Sequence, residues 1–74
     1  MQAYPNLGGN SNVKGYEIGE DFVRVRFADG LTYTYTLASC GSAHLGRLKA
    51  FARAGIGLNS YIVRHVRKAY ASKE

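Results

Sequence analysis

Residues 22–37, FVRVRFADGLTYTYTL, alternate apolar and polar side chains on both sides of Asp29-Gly30, and that alternation admits one hairpin register. A two-residue turn at Asp29-Gly30 pairs Phe27 with Thr32, Arg26 with Tyr33, Val25 with Thr34 and Val23 with Thr36, so the alternating apolar residues of each strand meet polar ones. A three-residue loop, Ala28-Asp29-Gly30, pairs Phe27 with Leu31, Val25 with Tyr33 and Val23 with Tyr35. The apolar residues then share one face, and Arg24, Arg26, Thr32 and Thr34 share the other. A slip of one residue exchanges the faces, so burial of one face selects the three-residue loop. Such a loop is a type I turn closed by a residue in the left-handed region, and Gly30 supplies that residue without a clashing Cβ.

The apolar face of the hairpin must be covered. VKGYEIG, from Val13, alternates weakly and reads as a preceding strand. AHLGRLKAFARAG has helical period, with Leu45, Leu48, Phe51 and Ala52 on one face, Ser42 as N-cap and Gly55 as C-cap. A second helix is predicted from about Leu58 to Ala71. Leu58, Tyr61, Ile62, Val66 and Ala69 fall on its inner side, and Arg64, Arg67 and Lys68 on its outer side. The expected fold is α+β: a three-stranded antiparallel β-meander packed against two C-terminal helices, all within residues 13–74. Residues 1–12 hold Pro5, Gly8-Gly9 and three Asn, and read as a flexible arm.

A chain of 74 residues makes one domain. A domain of that size buries roughly 60% of its unfolded surface and leaves no room for a deep cofactor pocket. The single cysteine, Cys40, excludes an internal disulfide and fits a reducing compartment. No apolar run reaches the roughly 18–20 residues of a membrane span, and MQAYPNLGGNSNV lacks the basic start and apolar stretch of a signal peptide. The expected location is the cytoplasm.

Charge is unevenly placed. Residues 1–41 balance Lys14, Arg24 and Arg26 against Glu17, Glu20, Asp21 and Asp29, for −1. Residues 42–74 set Arg47, Lys49, Arg53, Arg64, Arg67, Lys68 and Lys73 against Glu74 alone, for +6. A solvated helix ordinarily mixes signs, because oppositely charged residues three or four apart stabilise it. The asymmetry fits a polyanionic partner, and it fits equally a basic charge that serves only solubility.

Catalytic chemistry has little to stand on. Cys40 precedes a helix N-terminus with His44 one turn on, the minimum for an activated nucleophile, but no carboxylate is placed to orient the histidine. Cys40 reads as a packing residue. Cys40, His44 and His65 show no CxxC or HxxxH pairing, whereas a structural zinc site needs four ligands in close pairs. No phosphate-binding glycine motif is present. The expectation is therefore no enzyme, no metal, no cofactor and no small-molecule substrate. Tyr33 and Tyr35 are able to stack unpaired bases, but the register places them under the helices as core.

The run FADGLTYTYTL followed by AGIGLNSYI resembles the KTSC domain, a small domain found alone in bacterial and phage proteins and at the C-terminus of some lysyl-tRNA synthetases. The resemblance covers residues 11 to about 66. It rests on Tyr16, Phe27, Gly30, Tyr33, Tyr35, Gly55, Asn59 and Ile62. The chain departs from the family pattern at Leu37-Ala38-Ser39, Arg53 and Val66. The resemblance implies a structural role for its motif residues, with Asn59 capping a helix or bonding the loop, and it suggests RNA binding without catalytic residues.

The expected function is a small nucleic-acid-binding module, for RNA more than DNA, that contacts phosphate through a basic helical face. Its candidate residues are Arg64, Arg67 and Lys68, then Arg53, Arg47 and Lys49, with Arg24 and Arg26 on the outer sheet face. The alternative is a protein-interaction module, such as a phage-type inhibitor, docking on an acidic surface of a nucleic-acid-processing partner.

Overall fold

A computed structural model of the chain describes residues 1–7, 9 and 12–74. Its elements are β1 (Gln2–Ala3), β2 (Val13–Ile18), β3 (Phe22–Phe27), β4 (Thr32–Thr36), α1 (Leu37–Cys40), α2 (Ser42–Ala54), α3 (Leu58–Tyr61) running directly into a π-helical turn (Ile62–Val66), and β5 (Ser72–Lys73). The strands form one antiparallel sheet in the order β1-β2-β3-β4-β5. This is a small α+β domain.

The hairpin takes the register that its alternation selects. Val23 lies opposite Tyr35, Val25 opposite Tyr33, Arg24 opposite Thr34 and Arg26 opposite Thr32. Phe27 N–H donates to Leu31 O at 2.9 Å and Gly30 N–H to Phe27 O at 3.0 Å, closing the three-residue loop. Gly30 has φ +90°. Asp29 Oδ1 accepts from Leu31 N–H at 2.9 Å and holds the loop from within.

The helices cover the apolar face. Val13, Val23, Val25 and Tyr35 meet Leu45, Leu48, Ala52, Leu58, Ile62 and Val66 in one core. Leu58, Ile62 and Val66 are spaced by four residues, and each such step on a regular α-helix over-rotates by about 40°. The wider π turn takes more residues per revolution, so Val66 returns to the core with the other two.

Four expectations are corrected. The sheet has five strands rather than three, because both chain ends add a short edge strand. Gln2–Ala3, read as part of the arm, form one of those edges, and the residues after them are tied to the domain. Gln2 and Ala3 pair with Tyr16 and Gly15, Tyr4 is 6% exposed within the core, and Leu7 N–H donates to Gly55 O at 2.7 Å. Gly8, Asn10 and Ser11, also assigned to the arm, lie outside the described residues. Ser42 is not an N-cap. Helix starts at Leu37, where Thr36 Oγ1 accepts from Ser39 N–H at 3.1 Å and Ser39 Oγ accepts from Thr36 N–H at 3.0 Å, and Gly41 alone separates α1 from α2. The last helix ends near Val66 rather than Ala71. Ala71 and Glu74 N–H groups instead donate to Thr34 and Thr32 carbonyls at 2.7 and 2.9 Å.

Gly55 ends α2 with φ +76°, as expected of a C-cap. A Cβ there meets Pro5 Cγ at 2.9 Å, whereas a Cβ at Gly30 meets nothing within 4 Å. The left-handed penalty of about 1–2 kcal/mol applies to both sites, so Gly30→Ala is expected to cost about 1 kcal/mol and Gly55→Ala more. Paired urea melts check the difference. Equal costs would mean that Pro5 does not pack on Gly55.

Candidate nucleic-acid interface

The cations of the last helix are held outward by the same geometry that buries its apolar stripe. Leu58, Ile62 and Val66 point to the core, so Arg64, Arg67 and Lys68 are exposed. Arg67 and Lys68 lie in the turn that closes the helix, not within it. Among the described residues, none of the three meets a carboxylate, and neither do Arg47 or Arg53; the ion pair that forms is Arg24–Glu17 at 3.6 Å.

The other predicted cations separate from this group. Lys49 Nζ donates to Glu20 O at 2.7 Å, tying α2 to the β2–β3 turn. Arg53 shares a groove with Met1, Gln2, Tyr16 and Glu17 at the β1 edge. Arg47 is exposed on α2. On the outer sheet face, Arg24 is paired with Glu17 and lies 5.9 Å from the Phe22 ring centre. Arg26 Nε reaches Thr32 Oγ1 at 3.4 Å. The structure does not gather these residues into the Arg64–Arg67–Lys68 surface.

Arg67 borders an open groove of about 380 Å³ between the hairpin tip and the last helix. Phe27, Tyr33 and Tyr35 line its sheet side, Asn59, Ile62 and Val63 its helix side, and Asn12 and Asp29 its loop end. Asn59, expected to cap a helix or bond the loop, instead sits inside α3 on this wall; Gly57 is the N-cap. Phe27, Tyr33 and Tyr70 form a ladder of edge-to-face rings, with centroids 5.2 and 5.0 Å apart. Lys73 Nζ stands 5.8 Å from the Tyr33 ring centre and 5.9 Å from that of Tyr70. Cations therefore flank the aromatic wall.

Tyr33 and Tyr35 divide the work assigned to them. Tyr35 is 0% exposed and belongs to the core, and its buried hydroxyl has no hydrogen-bond partner. Burial, with smaller contributions from Tyr33, Cys40 and Tyr70, pushes its phenol well above the ordinary tyrosine range. Tyr33 is half-buried at the groove edge.

Sequence reasoning missed Lys73 and Tyr70, because ASKE gives no strand signal of its own. It also missed a cluster on the opposite flank of the helix. His44 Nδ1 and Tyr61 Oη share a 2.6 Å hydrogen bond, and the Tyr61 and His65 rings stack with centroids 4.6 Å apart. His65 is exposed and lies against the Tyr61 ring.

Cys40 is not prepared for nucleophilic work. Its Sγ donates to Thr36 O at 3.3 Å, and burial raises its thiol above the ordinary value, with Ser39 opposing weakly. A nucleophile needs the reverse shift. Alkylation by iodoacetamide is expected to be slower in the folded chain than in urea. Faster reaction when folded would contradict this environment. Among the described residues, no group of three or more His, Cys, Asp or Glu is placed to hold a metal ion, and no helix is long and apolar enough to cross a membrane. Comparison with protein-family models, curated proteins and solved structures finds no match to this chain.

Proposed function

We propose that the chain is a small, non-enzymatic nucleic-acid-binding module of the cytoplasm, for RNA in preference to DNA, that contacts phosphates through Arg64, Arg67 and Lys68. The observation that carries this reading is the set of exposed cations without carboxylate partners beside an aromatic groove. Arginine and lysine give phosphate contacts that position a strand without reading its sequence. Preference for RNA rests on the resemblance to the KTSC domain. On that reading β2, β3 and β4 with α2 and the last helix form the family's βββαα unit, to which β1 and β5 add edges.

Fluorescence anisotropy with short single- and double-stranded RNA and DNA tests the proposal. Affinity for single strands is expected to fall with salt by about −0.7 in log–log slope per phosphate contact. Absence of binding near 50 mM salt, where screening is weak, overturns it. A second reading, docking on an acidic protein surface, is favoured by Val63, 52% exposed beside Arg64. It predicts that a defined protein, not nucleic acid, copurifies with the chain.

A further inference from the structure

We propose that the groove between the hairpin tip and the last helix receives one unpaired nucleobase of a single strand whose phosphates lie on Arg67 and Lys73. The inference rests on the nucleic-acid reading and goes beyond it, because phosphate contacts alone need no groove.

Three observations converge. First, the walls have the right shape and chemistry. The groove holds about 380 Å³, at the small end of ligand sites, which run from about 300 to 1,000 Å³. That volume takes one planar group rather than an extended chain. Phe27 and Tyr33 supply aromatic surface, and every base has a π-face to set against it. Second, one cation borders the groove and another stands over a ring of its wall. Arg67 borders the helix side and Lys73 lies over the Tyr33 and Tyr70 rings, so phosphates on either side of an inserted base meet a cation. Asp29 opposes an anion at the loop end, which directs the strand toward the Arg67 side.

Third, polar groups in the walls are uncommitted. Tyr35 lines the groove, is fully buried, and its hydroxyl meets no partner. A buried hydroxyl without a partner is uncommon in folded chains and calls for an explanation. A base edge offers both donors and acceptors, and the Tyr35 hydroxyl takes either role. The Asn59 and Asn12 amides add one donor group and one acceptor each. Asn12 has φ +62°, a left-handed conformation, and its carbonyl accepts from Ala28 N–H at 2.8 Å, which fixes this residue against the hairpin tip.

The experiment compares a short single-stranded RNA with the same strand made abasic at each position in turn, by anisotropy across salt. Phosphate number is equal, so the electrostatic part of binding is equal. A base in the groove predicts that one abasic position weakens binding about 5- to 100-fold while the salt slope stays constant. Tyr35→Phe is the second arm. It removes no hydrogen bond from the free protein, so its melting temperature is expected at or above wild type, and its affinity for the intact strand is expected to drop several-fold toward that for the abasic strand. Intact and abasic strands binding equally well would overturn the groove and leave the phosphate reading standing. Binding of neither would overturn both. Full affinity of Tyr35→Phe, together with an unchanged abasic series, would assign the hydroxyl to the core alone and end the inference.

Discussion

Replacing Arg64, Arg67 and Lys68 together with alanine is expected to weaken binding to short single-stranded RNA about 100-fold near 0.1 M salt. Each phosphate contact on a single strand contributes a log–log slope of about −0.7, which at that salt is about 5-fold in affinity. Loss of three contacts flattens the slope by about 2. The same substitutions are expected to leave stability within about 0.5 kcal/mol, because exposed side chains without carboxylate partners contribute little to the fold. Anisotropy and a urea melt on one preparation separate the two effects. A variant that binds as wild type would remove this surface from the account. A variant that unfolds would show that the cations hold structure instead. By contrast, Arg24→Ala is expected to change affinity little, since Arg24 is already engaged by Glu17 and Phe22 on the other face.

Tyr4→Ala is expected to cost about 3 kcal/mol or more, in line with other losses of buried aromatic rings. For a chain of 74 residues the whole stability is about 4–11 kcal/mol, so this one substitution takes a large share of it. Tyr4 packs edge-to-face on Tyr16 with centroids 6.4 Å apart, and its N–H donates to Lys14 O at 3.0 Å. Its hydroxyl accepts from Leu58 N–H at a long 3.4 Å, so Tyr4→Phe is expected to cost well under 1 kcal/mol. Urea melts of the two variants measure ring and hydroxyl separately. A Tyr4→Ala protein as stable as wild type would return residues 1–7 to the status of a loose arm.

The hairpin was legible because its alternation, its glycine and its need for a buried face all demand the same register. Phe27–Leu31 closure, Gly30 in the left-handed region and the Val–Tyr pairs follow from residues 22–37 alone. The inner stripes of both helices were legible for a similar reason, since Leu45, Leu48, Ala52, Leu58, Ile62 and Val66 recur at helical spacing. The edge strands were not. Gln2–Ala3 and Ser72–Lys73 are two residues each, exposed, and carry no period; the sheet they join decides their conformation. Tyr4 was the available clue, an aromatic in a stretch otherwise read as arm. The π turn was hidden because a four-residue apolar spacing is compatible with an ordinary helix. The groove was hidden for a different reason. It is made by residues far apart in sequence, from Asn12 and Phe27 to Asn59 and Arg67, and only the packed fold brings them together. The cations were legible as a set, but the sequence did not divide them. Position in the fold assigns Lys49 to the Glu20 carbonyl, Arg53 to the β1 edge and Arg67 to the groove.

On the proposed function, nucleic acid meets the cationic end of the last helix and the groove beside it. Amide chemical shifts of the full chain, followed while a short single-stranded RNA is added at low salt, test that claim directly. Perturbations are expected at residues 62–68, at the hairpin tip around Phe27 and Asp29, and at residues 70–73, with Glu17 and Arg24 unmoved. Perturbations confined to the outer face of β2, β3 and β4, or none as RNA reaches excess, would contradict it.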